Sequence, residues 1–150
     1  MEHLELVIKA TEDLSPLEFL AIMQARVRVF VVEQNCAYQE ADEKDVTAHH
    51  VYLKSGNQIV AYARITQEED CGKISFGRVL VVKEYRKLKL GKKIVAATLS
   101  EIKRSHPGKT IQLSAQSHLQ KMYASFGFQV TSAVYLEDGI PHVAMQLPSQ

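Results

Sequence analysis

The sequence predicts one mixed α/β domain over residues 1–150, with a central twisted β-sheet of about seven strands and about four helices packed against it. Three observations carry this. Apolar residues switch between strand and helix periodicity in the order β α β β β α β α β β. A strand, a basic loop, a helix and a further strand follow one another around positions 74–115, as in a parallel crossover. The 150 residues contain no internal repeat and no Pro/Gly/Ser-rich linker that would divide them, and at this length a single core suffices.

Leu4 to Lys9 alternates apolar and polar residues, the pattern of a half-buried strand. Ser15-Pro16-Leu17-Glu18 then combines an N-cap serine, a proline at the first helical position and the glutamate of a capping box. The helix that starts there repeats Leu17, Leu20, Ala21, Gln24 and Val27 at helical spacing. It is expected to end near Phe30, where the run Val29 to Val32 weakens helical preference. The acidic stretch Glu33 to Asp45 reads as a long loop or a short irregular helix. His50–Lys54 and Gln58–Ile65 form a hairpin about Ser55-Gly56-Asn57. A strand from about Lys73 to Val82 follows, its end Val79-Leu80-Val81-Val82 apolar enough to be buried on both faces. After the basic loop comes a helix with Ile94, Val95, Leu99 and Ile102 as its buried stripe, ending before Pro107-Gly108. A strand at Thr110–Ala115 leads to a short helix carrying Leu119, Met122, Tyr123 and Phe126, capped by Gly127. Two last strands, about Phe128–Leu136 and Pro141–Leu147, flank the turn Glu137-Asp138-Gly139.

Composition narrows the function classes. Apolar residues make up 46%, charged residues 23%, and the formal net charge is +1, so no global bias points to nucleic acid or membrane. No apolar run approaches a signal sequence or the roughly 20 residues of a membrane helix, and the expected location is cytoplasmic. Cys36 and Cys71 stand far apart without ligand spacing, which predicts two reduced thiols and no metal site.

The chemistry concentrates in the crossover. Between Val82 and Lys93 a strand opens through a basic loop into a helix. Unpaired N–H groups at a helix start carry partial positive charge and make a ready anion site, reinforced here by Lys87, Lys89, Lys92 and Lys93. Neither G-x-x-x-x-G-K-[ST] nor G-x-G-x-x-G is present, so the anion is held in some other way.

The run Val79–Lys93 resembles the acetyl-CoA pyrophosphate loop of the GNAT acyltransferases, [QR]-x-x-G-x-[GA], with Arg86 and Gly91 matching and Lys89 in place of the middle glycine. A lysine that takes the glycine's dihedrals there is strained. Arg28-Val29-Phe30-Val31-Val32-Glu33-Gln34, Ala115-Gln116 through Phe126-Gly127-Phe128, and Glu137 to His142 extend the resemblance to the ElaA-like branch over almost the whole chain. The resemblance implies an acetyl-CoA-dependent N-acetyltransferase acting by direct transfer in a ternary complex. It implies cosubstrate contacts from Leu80, Val81, Val82, Arg86, Lys87, Leu88, Lys89, Leu90, Gly91 and Lys92, with a bulge near Val81 freeing main-chain N–H groups for the pantetheine and the thioester carbonyl. Tyr123 is the implied donor to the departing sulfur, against a plain core role.

A lysine amine with a pKa of about 10.4 is only about 0.1% neutral at pH 7.5, so a base or a water chain is needed. Glu33, His142, His118 and the acidic loop qualify by type, with Glu33 placed ahead of His142; a salt-bridged glutamate and a merely hydrogen-bonded histidine are the plainer readings. Arg28, Phe30, Gln34, Asp42, Asp45 and Gln116 are candidates for acceptor binding, with a solvated acidic loop as the plainer reading of Asp42 and Asp45. The acceptor class is a small-molecule or peptide amine; no metal, nucleic acid or membrane partner is implied, and the chain is expected as a monomer or homodimer. A catalytically silent acyl-CoA sensor would keep the loop without acid or base. An RNA-binding domain would use the loop's charge alone, with Tyr85 its one interleaved aromatic.

Overall fold

A computed structural model describes residues 3–149. Strand β1 (Glu5–Ala10) lies at one edge of the sheet, antiparallel to β2 (His49–Ser55), which pairs with β3 (Gln58–Gln67) and that in turn with β4 (Lys73–Val81). Helix α2 (Leu90–Ser105) carries the chain across to β5 (Thr110–Gln116), parallel to β4. Beyond β5 come β8 (Ile140–Leu147) and two short strands that both pair with it, β6 (Gln129–Val130) and β7 (Tyr135–Glu137). The expected last long strand over 128–136 is thus broken in two, giving eight strands among the described residues. They are accompanied by three α-helices: α1 (Pro16–Arg26), α2 and the short α3 (Gln120–Ala124). None of the described helices is long and apolar enough to cross a membrane.

Local signals set most boundaries. Ser15 caps α1 in a reciprocal capping box with Glu18. The turn between β7 and β8 is Asp138-Gly139, both at positive φ (50° and 78°), the geometry an Asp-Gly pair favours in a two-residue hairpin. It sets Glu137 opposite Ile140 and Tyr135 opposite His142. Gly127, at φ +98°, ends the α3 segment where a Cβ would meet Leu147 Cδ1 at 3.2 Å.

Three expectations are corrected. Helix α1 does not stop near Phe30: it widens at Val27 into a π-helical turn that runs to Glu33, because the β-branched residues crowd a tight turn without ending the coil. The expected stripe of Leu17, Leu20 and Val27 faces solvent, Leu17 being 76% exposed, while Ile22, Ala25, Arg26 and Val29 are buried. The helix is rotated because its core face includes a charge: Arg26 is fully buried and paired with Glu40 and with Asp45 at 2.7 Å. Finally, β4 is not buried on both faces. Only Ile74, Phe76 and Leu80 are fully enclosed along it, while Val79 and Val81 lie partly open.

The core lies between the sheet and the helices, where Ile94, Val95, Leu99 and Ile102 of α2 pack as expected. What positions the site is an interruption in the sheet. Strands β4 and β5 pair only at Lys73–Ser75 with Thr110–Gln112 and then part. Past that point Arg78 and Val79 together oppose the single residue Ala63 of β3, with Arg78 at φ 52°. Such a bulge bends its strand. The bulge therefore lies two to three residues before Val81, near which it was expected.

Candidate active site

The parted strands open a cleft of about 480 Å³. Phe30, Gln116, Tyr123 and His142, four of the residues singled out from sequence, line it. Tyr123 is 4% exposed, its ring edge-on to Phe128 at 6.2 Å and near Phe76 at 6.3 Å. No described residue hydrogen-bonds its hydroxyl, and burial alone pushes that hydroxyl well above the ordinary tyrosine range. It therefore stays protonated, a donor in want of an acceptor.

His142 is buried on β8. Its Nδ1 lies 2.7 Å from the Ile140 carbonyl, which can only accept, so Nδ1 carries a hydrogen and, in the neutral ring, Nε2 keeps the lone pair. Gln34 accepts from the Gln116 amide at 3.3 Å, tying the end of the π-helical turn to the rim of the cleft.

The phosphate loop forms the second part. Lys87 and Lys89 both sit in the left-handed region, at φ 77° and 60°. Lys89 adopts the glycine-like conformation directly ahead of α2, and no side chain caps that helix. The first N–H groups of α2, from Leu90, Gly91 and Lys92, are thus left for an external anion. Gly91 keeps the approach open, a Cβ there meeting nothing nearer than Val81 Cγ2 at 4.0 Å. Leu88 is exposed, Leu90 is anchored in the core, and Arg86 Nε donates to the Val81 carbonyl at 2.9 Å. These residues fit a diphosphate: open N–H donors, exposed lysines and no carboxylate within the loop from 85 to 93.

Other expected roles are not supported by position. The N–H of Val82 is already bonded to the Val60 carbonyl at 3.0 Å, and the residue is buried, so it has no donor to offer. Glu33 does not line the cleft; its carboxylate pairs with Arg86, and Arg28 pairs with Glu84, so both clip the π-helical turn to the phosphate loop. Asp45 is buried against Arg26 and Arg64, and Asp42 is paired with Arg64 at 2.7 Å and Arg78 at 3.5 Å. Their charge is matched inside the protein rather than displayed to an acceptor. His118 is exposed outside the cleft.

Residues that sequence reasoning passed over complete the wall: Ser114 of β5 with Tyr135 and Glu137 of β7. A signal for two of them was present, since the Asp138-Gly139 turn fixes the hairpin register and so places Tyr135 across from His142. Among the described residues no cluster of His, Cys, Asp or Glu could hold a metal ion.

Comparison with known proteins shows the family and the fold. Residues 11–149 match the family profile of the acetyltransferase (GNAT) domain. The chain is 42% identical over 136 residues to the protein ElaA of Escherichia coli K12, covering 89% of each. It is also 42% identical over 149 residues to a UPF0039 protein of Schizosaccharomyces pombe, covering 98% of this chain and 99% of that one. Among solved structures, an acyl-CoA N-acyltransferase from Pseudomonas aeruginosa superposes with a TM-score of 0.91 at 37% identity, covering 96% of this chain and 99% of that one. E. coli ElaA gives 0.90 at 38%, covering 95% and 98%.

Proposed function

The chain belongs to the GNAT acetyltransferase family, and from that premise we propose that it transfers the acetyl group of acetyl-CoA directly to the amine of a small molecule or peptide, with both substrates bound at once. The observation that carries this reading is the presence, in one cleft, of a tyrosine hydroxyl with no hydrogen-bond partner among the described residues and a histidine whose Nδ1 is held by a main-chain carbonyl, so that the neutral ring keeps its lone pair on Nε2. A silent acyl-CoA sensor would need neither.

In this reading acetyl-CoA supplies an activated thioester, and the protein supplies position, an anion site and two proton-handling groups. The free N–H groups at the start of α2, with Lys87, Lys89 and Lys92 around them, hold the diphosphate. The parted edge of β4 at Val79–Val81 offers main-chain groups to the pantetheine arm and thioester. His142, through Nε2, takes the proton of the incoming amine; Glu33 is set aside as base because Arg86 holds it away from the cleft. Tyr123 donates to the sulfur as it departs. Holding amine and thioester in line replaces a bimolecular encounter, an advantage that reaches several kcal/mol in well-oriented systems, roughly 7–11.

The test is CoA release, followed with a thiol-reactive chromophore, across polyamines, aminoglycosides, amino acids and peptide N-termini. Saturable release with one of these classes is expected. Silence across the panel, while acetyl-CoA still raises the melting temperature, would establish the sensor instead.

A further inference from the structure

We propose that Glu137 is the second member of the proton-accepting apparatus, a carboxylate that takes the acceptor's proton from His142 and passes it to solvent, with Ser114 and Tyr135 as the residues that position the pair. The inference rests on the acyl-transfer reading above and assigns this site residues that the family likeness does not supply.

The four residues come from three strands and meet in the cleft. Glu137 Oε2 lies 3.4 Å from His142 Nε2. Its other oxygen, Oε1, accepts from the Ser114 hydroxyl at 3.2 Å, and Ser114 is in turn hydrogen-bonded to the Tyr135 hydroxyl. The Tyr135 ring stacks on the His142 imidazole, with centroids 6.2 Å apart and planes inclined by 25°. Tyr135 thus fixes the plane of the imidazole and, through Ser114, one face of the carboxylate.

The Nε2 lone pair decides the role of the contact. With Nδ1–H committed to the Ile140 carbonyl, a neutral His142 points the Nε2 lone pair at a carboxylate that also has none but lone pairs to offer. The contact becomes attractive only when a proton lies between them. A hairpin clamp would have no use for that arrangement, since the Tyr135–Ser114 bond already pins β7 to β5. Glu137 is also 46% exposed along its side chain, so a proton that reaches it has a way out.

The other charged or titratable groups around the cleft do not compete for this role. Arg64 and Arg78 are tied to Asp42, Asp45 and Glu40, Glu68 accepts from Ser75, Lys44 is a cation, and Tyr123 keeps its proton.

The proton count closes. An acceptor that arrives as ammonium must lose two protons. The first goes to His142 Nε2 and through Glu137 to water, which frees the nitrogen lone pair. That pair forms the N–C bond to the acyl carbon, and the C–S bond breaks with its electrons on sulfur. Tyr123 gives its proton to the sulfur, and the second proton from nitrogen replaces it. One amide, one CoA thiol and one solvent proton result.

Glu137→Gln keeps the size and the Ser114 hydrogen bond but cannot take a proton. With N-acetyl-lysinamide as acceptor, whose amine titrates near 10.4, kcat should fall about 10- to 30-fold with KM for acetyl-CoA unchanged; with glycinamide, near 8, the fall should be only about 2- to 3-fold. Equal losses with both amines, or none, would reduce Glu137 to a structural residue and overturn the relay while leaving acyl transfer standing. If the wild type turns over neither amine, the same comparison is made with an acceptor from the panel above, and silence across that whole panel overturns the relay together with the functional reading. A measurement that needs no acceptor separates the two: nitrogen-15 shifts of neutral His142 should report the Nδ1–H tautomer, and an Nε2–H tautomer would refute the relay whether or not the protein acetylates anything.

Discussion

Tyr123→Phe removes one oxygen and leaves the ring, so its contacts with Phe76 and Phe128 at 6.3 and 6.2 Å persist. The consequence for stability follows from the missing partner. A buried hydroxyl that satisfied a neighbour would cost about 1–3 kcal/mol on removal. Here no described residue bonds it, so the variant should be as stable as the parent or up to about 1 kcal/mol more stable, a rise of at most about 3 °C in melting temperature for a chain of this size. Acetyl-CoA affinity should be unaffected. Turnover should fall, and only moderately. Burial makes the hydroxyl a weak acid, so its contribution is chiefly a hydrogen bond to the developing thiolate, itself a fair leaving group. About 10- to 100-fold in kcat is expected, which is about 1.4–2.8 kcal/mol of barrier. The assay is kcat for CoA release together with a urea unfolding curve on the same preparation. A fully active variant would remove Tyr123 from the mechanism; a variant destabilised by 2 kcal/mol or so would show that the hydroxyl has a structural partner.

Acid should weaken the fold in a defined window. His50 is fully buried between the Tyr62 hydroxyl (2.6 Å) and Thr11 Oγ1 (2.7 Å), and burial lowers its pKa from 6.5 to about 4. The unfolded chain binds the extra proton first, so stability is complete above about pH 6.5 and falls by about 3 kcal/mol on the way to pH 4. Urea midpoints across that range should show the slope and His50→Gln should lack it; a flat profile in the parent would contradict the assignment. Arg26→Met leaves buried Glu40 with Arg78 and buried Asp45 with Arg64 as their remaining cationic partners and should cost about 3 kcal/mol, recovered in part when both acids are also neutralised; a loss below about 1 kcal/mol would mean that Arg64 and Arg78 balance the acids without it. Lys89→Gly relieves a left-handed lysine at φ 60° and should stabilise the fold by about 1 kcal/mol in urea, while weakening acetyl-CoA binding through the lost charge; destabilisation would show that the lysine side chain carries a contact of its own. Gly91→Val should leave the fold intact, since the nearest atom to a Cβ is 4.0 Å away, yet weaken acetyl-CoA binding measured by calorimetry, because a branched side chain crowds the approach to the first turn of α2. Unchanged affinity would move the diphosphate off this loop.

The elements that could be read along the chain are those whose determinants are local. Ser15-Pro16-Leu17-Glu18 starts α1, Asp138-Gly139 turns β7 into β8, and the alternation of strands with the 90–105 helix places the crossover; each depends on side-chain-to-backbone contacts within a few residues. The candidate phosphate loop belongs with them, because an anion site at a helix start is made of consecutive backbone groups; that Lys89 takes a glycine's conformation there is a finding of the structure, since a lysine at positive φ is strained. Tyr123 and His142 could be named for the same reason, as positions in short motifs.

Tertiary structure alone decided which side chains face one another. The rotation of α1 depends on Arg26 meeting Glu40 and Asp45, and a buried charge is invisible to hydropathy until its partners are found. Those same pairings withdrew Asp45 from any acceptor role, as Arg86 withdrew Glu33. The bulge at Arg78–Val79 and the parting of β4 from β5 follow from a register between strands, which no single strand encodes. Ser114, Tyr135, Glu137 and His142 lie on three strands and become one site only when β5, β7 and β8 are aligned. Sequence carries what neighbours along the chain determine; the site is an agreement between strands brought together from distant parts of it.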